Sequence, residues 1–330
     1  MKVSLNLPVF EEPGTTDPWR PTFELAQAAE EAGFYGAFIG HHHFTPGYET
    51  APWVVLAAVA ARTSVLRLGT SIFLLPTHHP LDVAENVATL DRISGGRVVL
   101  GAGIGYRRYE YEAFELPYER RGSRMSEALE ILPRVWSGEP VTFAGQHFRF
   151  TDVSVFPRPV QEPHPPIWVG AVARAAQRRA ARLADGWISD IMEPLGRERR
   201  LAERYRRDCE EAGRTPTVCL MRAAAVAPRR EVLEQQWLPE MARMQLDYWR
   251  AGAQGRDEDG MFGRLERGEA VSLGEFARDR VIAGTPEDCV KGLGEVADAG
   301  AEMILLNPLF DEAEQMERLV AEVVPHLSAS

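Results

Sequence analysis

Residues 68–106 constrain the fold of this 330-residue chain more than any other stretch. They begin with an apolar run of strand length that ends before Pro76. From Pro80 onward, apolar residues recur at helical spacing until Gly95 and Gly96, and a second apolar run begins at Arg97. Two strands that are buried on both faces and joined by one helix form a parallel βαβ unit. The stretch therefore predicts an α/β fold with a parallel sheet.

The same alternation of strand and helix continues along the rest of the chain with short connections. It predicts eight strands, at residues 3–7, 35–40, 66–75, 97–101, 167–170, 186–189, 218–227 and 303–306. Because no signal of a doubly wound crossover is present, the favoured architecture is a closed (β/α)8 TIM barrel.

Two stretches interrupt this alternation. After the fourth helix, residues 141–166 alternate apolar and polar positions around Gly145 and then contain five prolines, which predicts a β-hairpin excursion outside the barrel. After strand seven, the irregular residues 231–280 are expected to form a lid insertion over the barrel mouth. The whole chain, residues 1–330, is predicted to be a single domain.

The charge balance excludes some classes of partner. Asp and Glu number 48 against 37 Lys and Arg, and the net charge is −11. This balance argues against general nucleic-acid binding and against an anionic membrane surface. No apolar run approaches the roughly 20 residues of a membrane helix, and residues 1–10 do not resemble a signal peptide, so we expect a cytoplasmic protein. Three widely spaced cysteines are expected to be reduced thiols.

Histidines give the strongest chemical signal. Five of the eight fall in two groups, His41-His42-His43 after strand two and His78-His79 after strand three. Neighbouring parallel strands bring both groups to one rim of a barrel. Three interpretations remain open: a general acid or base beside an organic cofactor, histidines that only pack at the rim, and a divalent metal site. No metal is our expectation, because few carboxylates stand at the adjacent strand ends.

A glycine-rich loop, GAGIG at 101–105, follows strand four. Its glycines permit close approach of the backbone to a ligand, but no helix is predicted directly behind them, so this is not a dinucleotide fingerprint. Arg107, Arg108 and Arg174 stand near the predicted mouth. Each is a candidate phosphate ligand or simply a solvated charge.

Several motifs together resemble one known family. They are HHF after strand two, LGTSIFLLPTHHP, AENVATLDRISGGR, GAGIGY, WVGAVARAAQRRAARLADGW and IAGTPEDCVKGL. In this order they resemble the bacterial luciferase-like flavin-dependent monooxygenases and the related deazaflavin-dependent oxidoreductases. The resemblance implies an eight-stranded barrel that binds a reduced flavin, or a deazaflavin coenzyme, at its C-terminal mouth.

The resemblance also implies roles for individual residues. His42 matches the histidine that acts as acid or base beside the flavin, and Ser71-Ile72 matches a non-prolyl cis peptide bulge beneath the flavin ring. The start of the helix after strand five matches the cofactor phosphate site. The residues expected to bind the cofactor are Ser71, Ile72, Gly103, Ile104, Tyr106, Gly170, Ala171, Ala173 and Arg174.

This chain departs from the family pattern at several of these positions. His41 stands in place of a glutamate, and Gly103 in place of a reactive cysteine. Ile104 replaces a phosphate-binding arginine, and Ala173 and Ala176 replace a serine and a threonine. The phosphate is then expected to be held by backbone amides or by Arg107, Arg108 or Arg174.

The function that the resemblance implies is oxygenation. Reduced FMN from a separate flavin reductase reacts with dioxygen to a C4a-hydroperoxide, which oxygenates a small, apolar organic substrate. A deazaflavin-dependent hydride-transfer oxidoreductase is the alternative, followed by a non-catalytic flavin-binding barrel and a metal hydrolase. A homodimer formed through the helices around strands two and three is also implied. The expected substrate pocket comprises His41, Phe44, Phe73, His79 and Trp187, with Trp237, Met241 and Met244 from the lid.

Overall fold

The computed structural model describes residues 1–8, 17–45, 48–253, 260–269, 272–309 and 312–329. Its strands are β1 (Lys2–Leu7), β2 (Gly36–Ile39), β3 (Arg67–Thr70), β4 (Phe73–Leu74), β5 (Val98–Gly103), β6 (Val141–Ala144), β7 (Arg149–Val153), β8 (Ile167–Gly170), β9 (Gly186–Ile188), β10 (Val218–Val226), β11 (Val281–Gly284) and β12 (Met303–Asn307).

The helices alternate with the strands. They are α1 (Arg20–Glu31), α2 (Pro52–Ala60), α3 (Pro80–Ser94), α4 (Arg108–Ala113), α5 (Arg121–Trp136), α6 (Arg174–Leu183), α7 (Leu195–Glu211), α8 (Arg230–Tyr248), α9 (Met261–Glu266), α10 (Leu273–Ala277), α11 (Pro286–Asp298) and α12 (Glu312–Arg318). No helix among the described residues is long and apolar enough to cross a membrane.

Eight parallel strand positions close into a barrel. Going round it, β1 pairs with β2, β2 with β3, β3 with β5, β5 with β8, β8 with β9, β9 with β10, β10 with β12, and β12 with β1. The predicted (β/α)8 barrel is therefore confirmed. Its interior is filled by side chains from several strands, among them Phe38, Val99, Trp168, Met221 and Leu305.

Local sequence explains where α3 begins and ends. His79 caps the first turn, since its Nδ1 accepts a hydrogen bond from the Leu81 N–H, and Pro80 is the first helical residue. Gly95 ends the helix in the left-handed conformation, with φ of 69°. The apolar face of α3 buries Val83 and Val87 against the barrel, each contributing roughly 1.5–3 kcal/mol. This helix thereby fixes the strands whose ends carry the histidines.

The third strand is divided by a cis peptide bond. Residues 66–75 were expected to form one strand, but β3 ends at Thr70 and β4 resumes at Phe73. The peptide between Ser71 and Ile72 is cis, at the position where the resemblance implied it.

The excursion outside the barrel is present as predicted. Strands β6 and β7 form an antiparallel hairpin, in which Phe143 pairs with Phe150. The excursion is tied back to the barrel by Asp91, whose carboxylate accepts the backbone N–H groups of Val160 and Gln161 at 2.7 and 3.0 Å.

The insertion after strand seven is mostly helical. Helices α8, α9 and α10 pack together through Trp237, Met241, Phe262 and Phe276 over the alanine-rich end of β10. Residues 254–259 and 270–271 of the expected lid lie outside the described residues. The sequence analysis did not predict strand β11. This strand pairs with Ala223–Val226, the end of β10 that extends past the residues paired with β12.

Candidate active site

A cavity of about 750 Å³ opens at the C-terminal ends of the barrel strands. The ends of several strands and the lid helix α8 contribute to its wall. The polar residues that line it are Asn6, His41, His42, Tyr48, Glu49, Ser71, Tyr106, Ser189, Asp190, Arg243, Tyr248 and Asn307. Both the first and the last barrel strands thus contribute an asparagine to the same site.

The Ser71-Ile72 bulge forms one side of the cavity. Ser71 donates its hydroxyl hydrogen bond to Asn6 Oδ1, and its backbone N–H donates to the Ile39 carbonyl at 2.8 Å. The Ile72 side chain extends over two glycines, since a Cβ at Gly103 would lie 1.5 Å from Ile72 Cδ1 and one at Gly170 would lie 3.2 Å from Ile72 Cγ2. Gly103 therefore makes room for Ile72 and does not itself line the cavity.

His42 is paired with a buried carboxyl group. Its Nδ1 lies 2.9 Å from Oε1 of Glu110, a residue with no solvent exposure, and the same oxygen accepts the backbone N–H of His43 at 2.9 Å. Nδ1 is then the protonated nitrogen, and in the neutral ring Nε2 carries a lone pair. Burial lowers the pKa of His42, and the hydrogen bond to Glu110 opposes that shift. A neutral imidazole of fixed tautomer is suited to accept a proton.

Two tyrosine side chains pack against the imidazole ring of His42. Tyr48 and Tyr106 pack edge-on to it, with ring centroids at 4.8 and 5.5 Å. Tyr48 donates a hydrogen bond to the Tyr248 hydroxyl of α8, and the Arg107 guanidinium lies 4.8 Å from the Tyr48 ring. The rings shield His42 from solvent and connect the barrel rim to the lid.

A second group of histidines lies beside the cavity. One ring nitrogen from each of His41, His43 and His78 lies within 4.8 Å of those of the other two. Burial lowers the pKa of His41 to about 2 and that of His78 to about 4, so both are neutral at pH 7. The Leu74 N–H donates to His41 Nδ1 at 3.1 Å, which places the ring proton on Nε2. His41 could therefore ligate a metal through Nε2 only by giving up the bond to Leu74. Among the described residues, the buried Nε2 atoms of His41, His43 and His78 have no hydrogen-bond partner.

A second hollow, which we call the arginine groove, adjoins the cavity. It has a volume of about 540 Å³ and shares Val172 with the cavity lining. Its walls are the start of α6 and one face of α7, with Ala173, Arg174, Arg197, Arg200, Leu201, Glu203, Arg204 and Arg207.

The structure divides the predicted cofactor residues between these two sites. Ser71, Ile72, Ile104, Tyr106, Gly170 and Ala171 line the cavity, together with His41 and His42. Ala173 and Arg174 line the arginine groove. Neither Arg107 nor Arg108 lines either site: Arg107 donates to Thr45 Oγ1 at 2.6 Å, and Arg108 pairs with Glu119 at 2.8 Å.

Four residues expected in the substrate pocket lie away from the cavity lining, which corrects the predicted walls. Phe44 is 59% exposed and packs on Phe114, while Phe73 is buried behind the rim against His41 and His78. His79 caps α3. Trp187 is fully buried, and its Nε1 donates to the Ala171 carbonyl. Among the lid residues, Met244 lines the cavity, whereas Trp237 and Met241 are buried in the lid's own core.

The sequence did not reveal several residues of the site. Glu110 lies on the short helix α4, which was not predicted, and no local pattern separates it from neighbouring glutamates. Asn6 and Asn307 stand at strand ends, the position that signals a site in this architecture, but each is a single polar residue in an apolar run. Tyr48, Arg243 and Tyr248 reach the cavity only through the loop and lid conformations.

Comparison with known proteins places this geometry in a family. Residues 1–303 match the family model of the luciferase-like monooxygenases. The chain belongs to this family. The resemblance inferred from the motifs is confirmed, and the chain is accordingly an oxidoreductase-type enzyme with a flavin or deazaflavin cofactor.

Three relatives illustrate the range of the family. The F420-dependent hydroxymycolic acid dehydrogenase of Mycobacterium tuberculosis is 28% identical over 309 residues, which cover 92% of this chain and 83% of that protein. An uncharacterized protein, y4wF of Sinorhizobium fredii, is 36% identical over 55% of this chain, and the match spans only 53% of that relative. The crystal structure of monooxygenase RslO1 from Streptomyces bottropensis matches with a TM-score of 0.82 at 26% identity, covering 99% of this chain and 100% of that one.

Proposed function

We propose that this protein is a deazaflavin-dependent oxidoreductase that exchanges a hydride between an F420-type coenzyme and a hydroxyl-bearing carbon of its substrate. The observation that carries the proposal is the neutral, tautomer-fixed His42 held by Glu110 in the wall of the cavity. Oxidation of an alcohol requires a base for the hydroxyl proton, and this imidazole is poised to be that base. A relative that aligns over nine-tenths of the chain is itself named an F420-dependent dehydrogenase.

The residues present fit such a coenzyme. The cavity of about 750 Å³ is large enough for a three-ring system beside a substrate, and Ile72 and Gly170 form part of its wall. At the start of α6, no side chain caps the helix, which leaves its first N–H groups for a phosphate. The backbone N–H groups would then bind the phosphate without hydroxyl side chains at positions 173 and 176.

The protein residues would perform the proton transfer. When bound, the coenzyme supplies a carbon centre that accepts or returns a hydride. The substrate hydroxyl would give its proton to His42 Nε2 while the carbon that bears it loses hydride and becomes a carbonyl carbon. Glu110 would accept a hydrogen bond from the Nδ1–H group and stabilise the imidazolium that forms. In the opposite direction, the imidazolium returns the proton to the new alkoxide.

Oxygenation with reduced FMN is the second candidate. It is supported by the likeness to the monooxygenase RslO1 along the full chain. In that case a flavin reductase would supply the reduced cofactor, a small apolar substrate would be oxygenated, and the aromatic rings around His42 would exclude water from the site.

One set of titrations separates the two candidates. Oxidised F420, oxidised FMN and reduced FMN are titrated anaerobically into the purified protein, followed by fluorescence, and each complex is then mixed with a panel of alcohols or with dioxygen. We expect F420 to bind more tightly than either FMN form and to be reduced by at least one alcohol. Preferential binding of reduced FMN with substrate-dependent consumption of dioxygen would overturn the proposal in favour of the oxygenase.

A matched pair of histidine variants tests the role of His42. We expect His42→Ala to lower kcat by about 10²- to 10⁴-fold, the usual contribution of a general base, while coenzyme binding changes little. His79→Ala is the control, because His79 caps α3 outside the cavity. Unchanged turnover in His42→Ala would exclude His42 as the base.

A further inference from the structure

The arginine groove has a charge opposite to that of the molecule. Five arginines and a single acid, Glu203, line it, whereas the chain as a whole carries a net charge of −11. The arginines on α7 stand at positions 197, 200, 204 and 207, which is the spacing that places side chains on one face of a helix. This face lies opposite the start of α6, where Arg174 completes the groove.

Several arginines of the groove form ion pairs or hydrogen bonds with other residues of the protein. Arg174 forms a two-pronged ion pair with Asp208, and Arg197 pairs with Glu193 at 2.8 Å. Arg204 donates to neutral acceptors, Gln177 Oε1 at 2.5 Å and the Val172 carbonyl at 3.2 Å. Burial lowers the pKa of Arg204, as do the charges of Arg174, Arg197 and Arg207, whereas the charge of Asp208 opposes the shift. Positive charges therefore crowd one another in the groove, and an anion entering it would relieve that repulsion.

The position of the groove relates it to the coenzyme. Val172 lines both hollows, so the groove begins where the cavity reaches the start of α6. A coenzyme whose phosphate lies at that helix start would direct any further chain into the groove. FMN ends at its one phosphate and would leave the groove vacant, whereas the tail of an F420-type coenzyme continues beyond the phosphate as a flexible chain of carboxylates.

We propose that the arginine groove is a second coenzyme subsite, which binds an anionic tail bearing several carboxylates beyond the first phosphate. The proposal rests on the proposed deazaflavin function and deepens it, because it assigns the groove to the tail and predicts that affinity depends on the tail. Arg200 and Arg207 are solvent-exposed, so each contact with the tail is weak and screened by salt. Affinity would then come from the number of contacts and would fall as ionic strength rises.

Binding of two deazaflavins tests the subsite. The first is F420 with its glutamate tail, and the second is the same deazaflavin ring system ending at its first phosphate. At low ionic strength we expect the tailed coenzyme to bind at least about tenfold more tightly, with the difference shrinking as salt is added.

Charge reversal within the groove provides the second measurement. In Arg200→Glu/Arg207→Glu, we expect affinity for the tailed coenzyme to fall by about tenfold or more, while affinity for the tail-free deazaflavin stays within about twofold. The control is Arg178→Glu/Arg199→Glu, which makes the same change in net charge on α6 and α7 at exposed residues that do not line the groove. We expect the control to bind both ligands as the wild type does.

The outcomes distinguish the two proposals. Equal wild-type affinity for both deazaflavins, or equal losses in the groove and control variants, would overturn the tail subsite and leave the hydride-transfer function standing if the bound coenzyme is reduced by an alcohol. Failure of both deazaflavins to bind, with FMN binding instead, would overturn both proposals.

Discussion

Glu110 Oε1 lies between two residues of one loop, 2.9 Å from His42 Nδ1 and 2.9 Å from the backbone nitrogen of His43. It therefore positions the ring of His42, the base proposed above, and also adjusts its proton affinity. In Glu110→Gln the carboxamide can still accept one hydrogen bond but carries no charge, so the pKa of His42 should fall further below its usual value. We expect kcat to fall by roughly tenfold or more, and the acidic limb of the kcat/KM profile to move to lower pH.

The pH dependence of kcat/KM in Glu110→Gln shows whether Glu110 adjusts the pKa of His42 or only supports the loop. A Glu110→Gln variant with a lower rate but an unshifted acidic limb would mean that Glu110 supports the loop alone. Glu127→Gln is the control, because Glu127 binds three backbone N–H groups of the hairpin excursion and lies away from the cavity.

His41 links stability to pH. Its pKa is about 2 in the folded protein because burial disfavours the charged ring, against about 6.5 in an unfolded chain. Between these values the unfolded state binds the extra proton, so the free energy of unfolding falls as pH drops below about 6.5. This residue alone would give a slope of up to about 1.4 kcal/mol per pH unit.

Chemical denaturation between pH 4 and pH 8 measures that slope in wild type and His41→Gln. Glutamine can accept the Leu74 N–H but does not titrate, so we expect the slope below about pH 6.5 to be smaller in the variant. Identical slopes would show that other groups dominate the acid sensitivity.

The site was predictable from sequence only where its residues lie in contiguous motifs. His42 and Ser71-Ile72 were identified because each lies in a motif at the end of a strand. Glu110 was not, since RRYEYEAF contains two glutamates, and which one faces inward depends on α4: Glu110 has no exposure, whereas Glu112 is exposed. Phe73 and Trp187 were wrongly predicted as pocket walls, because both rings are buried away from the cavity. Met244 lines the cavity as predicted, and Tyr48 and Tyr248 line it without having been predicted.

At the scale of elements, α8 is the lid helix that borders the cavity. The Tyr48–Tyr248 hydrogen bond joins it to the loop after β2, and Trp237 Nε1 donates to the Leu309 carbonyl at 2.6 Å. Tyr248→Phe removes one buried hydrogen bond, a loss of about 1 kcal/mol. We expect amide exchange in residues 230–248 to speed up by about fivefold.

Hydrogen exchange followed by mass spectrometry measures this effect. Tyr35→Phe is the control, because Tyr35 precedes β2 at the opposite end of the barrel from the cavity. Exchange in α8 that does not change in Tyr248→Phe would show that the packing of Trp237 and Met241 holds the lid without the tyrosine pair.

The sequence predicted elements that depend on neighbouring residues better than it predicted pairing between distant strands. The apolar runs of β8 and β12 depend on near neighbours, and the structure contains both strands where they were predicted. The capping box of Thr285 and Asp288 at the start of α11 is a local feature of the same kind. Strand β11 was missed because Val281–Gly284 becomes a strand only through pairing with the far end of β10. The two strands are separated by about sixty residues, so the local sequence around Val281–Gly284 does not predict that they pair.

At the scale of the whole molecule, the resemblance implies a homodimer that packs through the helices around β2 and β3. Val54 on α2 and Ile93 on α3 are 71% and 56% exposed, so such an interface would bury apolar surface at both positions. We expect the wild type to sediment as a dimer and Val54→Asp to weaken the dimer by at least about tenfold, because a carboxylate would be buried there. A dimer that persists unchanged in Val54→Asp would place the interface elsewhere.

The barrel closes through β1, which pairs with β2 on one side and with β12 on the other. During synthesis, β1 leaves the ribosome about 300 residues before β12, so the edge of β1 that pairs with β12 stays unpaired until β12 has been made. An unpaired strand edge is a template for association with other chains. Asn6 and Asn307 meet at the cavity only when that gap is closed, so a nascent chain completes this cavity only after β12 has been made. Slow translation of the residues before β12 would then lengthen the period in which the edge of β1 is exposed to other chains.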